Sequence, residues 1–251
     1  MTRKKSSVVS SMRLALIALS VLVSLFSCQK SSAVKGSESP QPHYIQQYVE
    51  RPEFKSAIWA VPSQAESKTS TGQFVVVVKV NEDEGADTHV VNYKREPERF
   101  LIYAKRYNDL SYNRPIPAPN SNGALAEPLS KVQCYEMSST GELVDVSSKV
   151  VLRALTFLPY IKSGYKDRES VEMPKTDGMP SKYGPRDYLV NKTLSSLTVE
   201  DLTLLDYQSF SYLFELIPIA PYKFEKDSQI KVVISESGKT HETIARYAET
   251  L

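Results

Sequence analysis

The apolar positions after residue 72 recur in short runs separated by turn residues, which is the pattern of β-strands. The clearest run is Gln73 to Val80, QFVVVVKV, whose four consecutive valines are β-branched and form too short a stretch for a helix. Because apolar residues fall on both faces of this run, we expect a central strand that is covered on both sides. His89 to Tyr93 is predicted to return as its partner after an acidic turn, and Phe100 to Tyr107 to complete a meander of three strands.

Six later segments share short length, apolar character and flanking turn residues, and each is predicted to be a strand. They are Lys131 to Met137, Leu143 to Ser147, Lys149 to Leu158, Phe210 to Ile217, Gln229 to Ser235 and Thr240 to Tyr247. The first two are expected to form one hairpin, and the last two a terminal hairpin around a tight Ser-Gly turn.

Two segments carry helix signals. Tyr44 to Val61 is compatible with a short helix that ends before Pro52 and is followed by a strand. Thr198 can cap a helix, and Asp201 at the third helical position can return a hydrogen bond to the Thr198 backbone. A helix of about two turns is therefore predicted up to Asp206.

This arrangement of about ten strands and one short helix predicts a mostly β fold, an immunoglobulin-like or related antiparallel β-sandwich with long loops. Fifteen tyrosines and fifteen prolines beside nine glycines also favour a loop-rich β domain over a helical bundle. The domain is expected to cover residues 44–251, as one unit or as two small subdomains.

The first 28 residues follow a different pattern. Arg3, Lys4 and Lys5 make a basic start, and Leu14 to Phe26 is an apolar run in which the only polar residues are two serines. Thirteen residues at 1.5 Å each cover about 20 Å of a hydrocarbon core that is roughly 30 Å thick, so the run is too short to span it. This layout is typical of a secretory signal peptide.

The apolar run ends in Leu25 to Cys28, LFSC, which resembles a bacterial lipobox of the Bacteroidota type. In that family a signal peptidase cuts before a cysteine that has been thioether-linked to diacylglycerol, so the resemblance implies a signal peptide over residues 1–28 and a lipid on Cys28. Gln29 stands where an inner-membrane retention signal typically has Asp, which implies the outer membrane. The alternative is an ordinary cleaved signal with an incidental cysteine.

The stretch from Gln29 to His43 is polar, Ser-rich and interrupted by two prolines, so it is predicted to be a flexible tether. Fifteen flexible residues have a root-mean-square span of about 20 Å. Removal of the signal takes away four basic residues and no acid, which turns the formal net charge from +2 to −2. No general attraction to nucleic acid follows from that charge.

Candidate chemistry is sparse. With Cys28 carrying lipid, Cys134 has no intramolecular partner and is expected to be a buried apolar residue. His241 and Glu242 begin like a zincin helix, but the second histidine ligand is missing. No nucleophile elbow, P-loop or dinucleotide motif occurs, and a catalytic triad assembled from distant loops would need His89 or His241 as its base. No metal or cofactor is therefore predicted.

The segment Pro159 to Asn191 is a long loop that mixes tyrosines with basic residues, and loops of this length are usually functional or mobile. Tyrosine stacks on sugar faces and packs well into protein interfaces. The alternative is that these tyrosines cover the edge of the sandwich with their hydroxyls in water. The candidate partner-binding residues are Tyr160, Tyr165, Arg168, Tyr183, Arg186 and Tyr188.

Three functions are consistent with the sequence. The first is a non-catalytic binding or interaction module, lipid-anchored at the outer membrane, with a glycan, peptide or envelope protein as its partner. The second is a structural or anchor subunit of a fimbrial or secretion assembly, in which Thr240 to Tyr247 pairs with another subunit by strand addition. The third is a hydrolase with a scattered site, which a carboxylate or serine within reach of His89 or His241 would favour.

Overall fold

The structure is a computed structural model, and five parts of the chain can be described. They are residues 43–61, 73–113, 122–166, 188–208 and 212–249, with the backbone alone for Val61 and Tyr188. The chain divides into two units, residues 1–40 and residues 41–251, and all of the described residues belong to the second.

The described residues form a mostly β fold. The strands are β1 Gln47–Arg51, β2 Phe54–Val61, β3 Gln73–Val80, β4 His89–Asn92, β5 Gly123–Leu125, β6 Leu129–Met137, β7 Leu143–Asp145, β8 Val150–Thr156, β9 Tyr188–Thr193, β10 Phe214–Pro218, β11 Gln229–Glu236 and β12 Lys239–Ala245. The helices are α1 Pro97–Tyr107 and α2 Leu158–Lys162, with short 3₁₀ turns at Ser147–Lys149 and Leu194–Ser196.

These strands make three sheets. The strand orders are β4-β1-β5, β2-β3-β10-β8-β9 and β12-β11-β6-β7. Neighbouring strands are antiparallel except for β1 and β5, which run parallel. The architecture is consistent with a β-sandwich, so the predicted fold class is confirmed.

The main core brings together residues of the five-stranded and the four-stranded sheets. Val76, Val78 and Leu216 come from the former, and Val232 and Ile234 from the latter. All five side chains are fully buried, which makes this core the main source of hydrophobic stabilisation.

Several strand predictions are confirmed. β3 lies between β2 and β10, and its four consecutive valines, Val75 to Val78, are at most 1% exposed, as expected for a strand covered on both faces. The β6–β7 hairpin and the terminal β11–β12 hairpin form as predicted. β10 begins at Phe214, later than the predicted Phe210, which lies outside the described residues.

The predicted meander is wrong in its third strand and in its pairing. Residues 97–107 form helix α1, because Pro97 is favourable at a helix start and Phe100 and Ala104 bury one face at a spacing of four. The residues assigned to a third strand in fact follow a helical period. The segment beginning at His89 is a strand, but β4 pairs with β1 and not with β3.

Both helix predictions are also wrong, although the strand expected after Pro52 is present as β2. Residues 47–61 form two strands, β1 and β2. Thr198 and Asp201 exchange the expected hydrogen bonds, with the Thr198 N–H 2.8 Å from Asp201 Oδ2, but they close a turn and no helix follows. All residues from Leu202 to Tyr207 are buried, and a surface helix could not bury consecutive residues on every side.

A second core is rich in aromatic residues and joins the three-stranded sheet to α1 and α2. Tyr44, Tyr48, Phe100, Phe157 and Tyr160 are each at most 2% exposed. The ring centroids of Tyr44 and Tyr160 lie 4.7 Å apart in an edge-to-face arrangement, which is favourable for aromatic pairs.

Candidate functional site

A buried carboxylate, Asp109, binds the first described residues of the domain. α1 ends at Tyr107, and the left-handed φ of 60° at the next residue, Asn108, turns the chain inward and leaves Asp109 fully buried. Oδ1 accepts the Tyr44 N–H at 2.8 Å, and Oδ2 accepts the Ile45 N–H at 2.9 Å. This side chain therefore fixes the path of the chain into β1.

Two further contacts complete this site, which we call the Asp109 junction (His43, Tyr44, Ile45, Asp109 and Tyr165). The Tyr165 hydroxyl donates to Oδ1 of Asp109 at 2.8 Å, and Nδ1 of His43 lies 2.6 Å from the Asp109 carbonyl oxygen. Burial raises the pKa of the Asp109 carboxyl, although the hydrogen bonds from Tyr44, Ile45 and Tyr165 oppose that rise. His43 is the last residue of the predicted tether, but in the structure it is buried, with 3% of its surface exposed.

Of the predicted partner-binding residues, two are buried, one is described by its backbone alone, and the others lie outside the described residues. Tyr160 and Tyr165 are 0% and 3% exposed and belong to the aromatic core, so their rings are not presented to a partner. Tyr188 begins β9, opposite Thr156 of β8, and its side chain is not described. Cys28, Arg168, Tyr183 and Arg186 lie outside the described residues.

Sequence reasoning missed Asp109. The signal was present, because an acid beside Asn108 at the end of an amphipathic segment is a position where a helix can stop. It was overlooked because residues 100–107 were assigned to a strand, which gives no reason for a buried acid after its end.

A second candidate lies on the β11–β12 hairpin, where Glu236 and His241 form a titratable pair. Glu236 is 4% exposed, and its Oε2 is 3.6 Å from Nε2 of His241. Glu236 Oε1 and His241 Nε2 are buried atoms with no hydrogen-bond partner within the described parts of the chain. The imidazole packs edge-on against Phe54, with ring centroids 5.1 Å apart.

Electrostatics set the protonation of this pair. Burial and then the charge of Glu127 raise the pKa of Glu236 to about 7, against an opposing effect of Lys239. Burial and Lys239 lower the pKa of His241. Near neutral pH the Glu236 carboxyl can therefore gain or lose a proton beside a neutral imidazole, which is the electrostatic condition for acid–base chemistry.

The other strand histidine, His89, belongs to an ionic cluster between β1 and α1. Its Nδ1 is 3.1 Å from Oε2 of Glu50, and its Nε2 is 3.3 Å from Glu96. Glu50 also receives hydrogen bonds from Arg99 and Tyr103. Burial alone would raise the pKa of Glu50, but the hydrogen bonds from Arg99, Tyr103 and His89 outweigh burial and lower it.

The remaining chemical features of the described residues are modest. Cys134 is a fully buried free thiol, as predicted from the sequence. No group of three or more His, Cys, Asp or Glu residues is placed to hold a metal ion within the described ranges. In the same ranges no helix has the length and apolar character needed to cross a membrane.

Comparison of the chain with protein-family models, with curated proteins and with solved structures finds no match.

Proposed function

We propose that this protein is held at the outer membrane by a lipid on Cys28 and that its β-sandwich domain is a binding or interaction module for an envelope protein, peptide or glycan. The observation that carries the proposal is the Asp109 junction. It holds Tyr44 and Ile45, which directly follow the predicted tether in the sequence, and the tether in turn follows the lipobox-like LFSC sequence. A signal peptide, a tether and a β domain whose first described residues are held by buried hydrogen bonds are together consistent with a membrane-attached module.

A carboxylate lies beside each of the two strand histidines, as the hydrolase hypothesis expects, but neither histidine contacts a nucleophile in the described parts of the chain. Within the described residues, the hydrogen bonds and ion pairs of His89 and His241 run to carboxylates and not to a serine or cysteine. A nucleophilic mechanism needs a base within hydrogen-bond reach of its nucleophile.

The contact residues we propose are Arg168, Tyr183 and Arg186. They lie between two anchored points, because Tyr165 is bonded to Asp109 and β9 pairs with β8. Binding residues are commonly carried on loops that a rigid scaffold positions. Tyr160 and Tyr165 are not proposed as contact residues, since both are buried in the domain.

The anchor is tested by labelling cells that express the full chain with radioactive palmitate. The wild-type protein and Cys134→Ser should take up label and sediment with the outer membrane, whereas Cys28→Ser should not. Equal labelling of Cys28→Ser would show that the lipid is elsewhere, and an unlabelled wild-type protein would show that none is attached.

Binding is tested by cross-linking intact outer membranes and isolating the protein with its partner. Tyr183→Ala and Arg186→Ala should reduce partner recovery without changing the urea unfolding midpoint. Tyr135→Ala, on the half-buried outer side of β6, is a matched control that should retain the partner. Unchanged recovery with the two loop variants would remove this segment from the proposal.

A hydrolase is a second candidate, favoured by Glu236 and His241 at 3.6 Å. If this pair is catalytic, an ester or glycoside substrate should be turned over by the wild type and not by Glu236→Gln. The donated-strand role is less well supported, because β12 pairs with β11 along its whole length and Ala245 is fully buried.

A further inference from the structure

The four-stranded sheet ends in an unpaired outer strand. β7 is the last strand in the order β12-β11-β6-β7, and within the described parts of the chain no strand pairs with its other side. All three of its residues are exposed, and Leu143 and Val144 are 43% and 50% exposed. Because neighbouring residues of a strand point to opposite faces, β7 presents one apolar side chain on each face of this sheet edge.

The register of the β6–β7 hairpin shows which backbone groups of β7 face outward. The Val146 N–H donates to the Cys134 carbonyl at 2.9 Å, and Val144 lies opposite Glu136. In an antiparallel ladder only every second residue bonds to a given neighbouring strand, so residues 144 and 146 bond towards β6. The N–H and C=O groups of residues 143 and 145 therefore point away from the sheet. We call Leu143, Val144 and Asp145 the β7 edge.

The other outer strands of the three sheets differ from β7. β5 and β2 each bond to a further segment of the chain, through the Leu125 N–H and the Ile58 N–H, and β12 lies beside β2. β4 has no exposed residue, and the exposed residues described in β9 are the polar Asn191 and Lys192. An exposed apolar edge with unpaired backbone groups is a template for pairing with another strand.

Acidic side chains flank the apolar pair. Residues 138–145 contain two acids, Glu142 and Asp145, and no basic residue, and both acids are exposed. Hydrogen bonds from Ser147, followed by the charge of Lys131, lower the pKa of Asp145, which keeps this carboxylate ionised at neutral pH. Pairing of two β7 edges would bring four carboxylates together, and like charges on neighbouring strands are destabilising. An incoming strand with basic residues meets no such repulsion.

We propose that the β7 edge binds an extended segment of a partner protein by strand addition, and that this segment carries basic residues at both ends of a short apolar run. Leu143 and Asp145 supply the backbone hydrogen bonds, and the carboxylates of Glu142 and Asp145 select the basic residues. A three-residue strand limits the contact, so the complex is expected to be weak and short-lived. The inference goes beyond the proposed function, because it requires neither a lipid at Cys28 nor the contact residues proposed above.

The test uses the full chain in detergent and a fluorescein-labelled probe peptide, Ser-Lys-Val-Ile-Val-Lys-Ser, with fluorescence anisotropy as the readout. A second probe has Glu in place of both Lys residues. The wild-type protein should bind the basic probe about tenfold more tightly than the acidic probe at low salt. Equal affinities, tighter binding of the acidic probe, or no binding of either probe would overturn the proposal.

Two substitutions at position 143 separate backbone pairing from side-chain contact. Leu143→Pro removes the outward N–H and leaves the N–H groups that bond to β6, a position where edge strands tolerate proline, whereas Leu143→Thr keeps the outward N–H. Leu143→Pro should weaken binding of the basic probe about tenfold or more, and Leu143→Thr about threefold or less. An unchanged urea midpoint shows that each variant is folded. Equal affinities of the two folded variants would contradict strand addition.

Hydrogen exchange followed by mass spectrometry locates the probe on the wild-type protein without any substitution. The basic probe should protect the amides of residues 142–146 and leave those of residues 189–193 in β9 unchanged. Missing protection at residues 142–146, or equal protection of both strands, would overturn the proposal.

The selection by charge and the choice of occupant are tested separately. Glu142→Gln combined with Asp145→Asn keeps the acceptor for the Ser147 N–H and should bring the two probes to nearly equal affinity. A tenfold preference that survives this double variant would contradict the role of the two acids. The full chain without probe should not self-associate through β7. A dimer that Leu143→Pro dissociates would mean that a second copy occupies the β7 edge, which would overturn the proposed partner.

Discussion

The hydroxyl of Tyr165 donates a hydrogen bond of 2.8 Å to the buried carboxylate of Asp109. That carboxylate also accepts the backbone N–H groups of Tyr44 and Ile45. One side chain therefore joins the residues before β1 to Tyr165, which comes before the proposed contact residues Arg168, Tyr183 and Arg186 in the sequence. This connection holds Tyr44, Ile45 and Tyr165 together within the aromatic core.

Replacing Asp109 with Ala should destabilise the domain by about 3 to 5 kcal/mol, because two buried backbone N–H groups and the Tyr165 hydroxyl lose their acceptor. Asp109→Asn keeps one acceptor oxygen and should cost less. Tyr165→Phe removes one hydrogen bond and keeps the ring, so about 1 to 2 kcal/mol is expected. Urea unfolding measures each value.

The control is Asp227→Ala, which removes an exposed carboxylate and should change stability by about 0.5 kcal/mol or less. A similar loss for Asp109→Ala and Asp227→Ala would mean that the Asp109 junction does not stabilise the domain.

The sequence predicted the sheets well where strands are apolar on both faces or joined by short turns, as in β3 and the β11–β12 hairpin. It failed for α1, because Phe100 to Tyr107 contains apolar residues that satisfy both a strand and a helix period, and tertiary packing against Tyr48 decides between them. The Asp109 junction depends on residues 66 positions apart in the chain, as in the contact of His43 with Asp109. Local patterns carry no information about such a pairing.

Stability should fall as the pH rises through neutrality because of Glu236. Its pKa is about 7 in the folded domain against an ordinary value of 4.5, so the folded state binds the proton more tightly. The resulting stabilisation is fully present below pH 4.5 and is lost as the pH rises through 7, by up to about 3 kcal/mol in total. Glu236→Gln should therefore gain stability relative to wild type between pH 5 and pH 8, measured by urea unfolding.

Two observations check the cause of this pH dependence. Glu127→Gln removes the neighbouring charge that raises the pKa of Glu236, so the gain on adding Glu236→Gln should be smaller in that background. A stability difference between wild type and Glu236→Gln that is constant with pH would contradict the assignment.

Removing one partner of the buried ion pair of Arg153 and Glu215 should destabilise the domain strongly, whereas replacing both residues with apolar ones should destabilise it less. Both residues are 5% exposed on the paired strands β8 and β10, with Arg153 Nε 2.8 Å from Glu215 Oε2. Glu215→Gln removes the negative charge that both Nε and Nη2 of the buried Arg153 guanidinium contact, and should cost about 3 to 5 kcal/mol.

The double variant Arg153→Met with Glu215→Leu removes both charges and should be closer to wild type in urea than Glu215→Gln alone. Additive losses in the double variant would show that the two side chains stabilise the sheet independently.

The terminal strand should be essential to the fold. β12 pairs with β11 over seven residue pairs, and the Ile58 N–H and carbonyl of β2 bond to Arg246 and Ala248 just beyond it. A chain that stops after Gly238 should therefore lose cooperative unfolding and elute as aggregate in size exclusion. Ile244→Thr, at a 45% exposed position of the same strand, should leave the fold intact. If the truncated chain is soluble and unfolds cooperatively, that result would support the donated-strand role.

The number of reactive thiols tests the burial of Cys134 and the proposed lipid on Cys28 together. Cys134 is fully buried, and burial, followed by the charges of Asp145 and Glu136, raises the pKa of its thiol, so a thiol reagent should not react with it in the native protein. A thioether at Cys28 is unreactive as well. The mature protein should therefore show no reactive thiol under native conditions and one in urea, whereas an unmodified Cys28 would add one in each condition. A native reaction that persists in Cys28→Ser would mean that Cys134 is accessible and would contradict its place in the core.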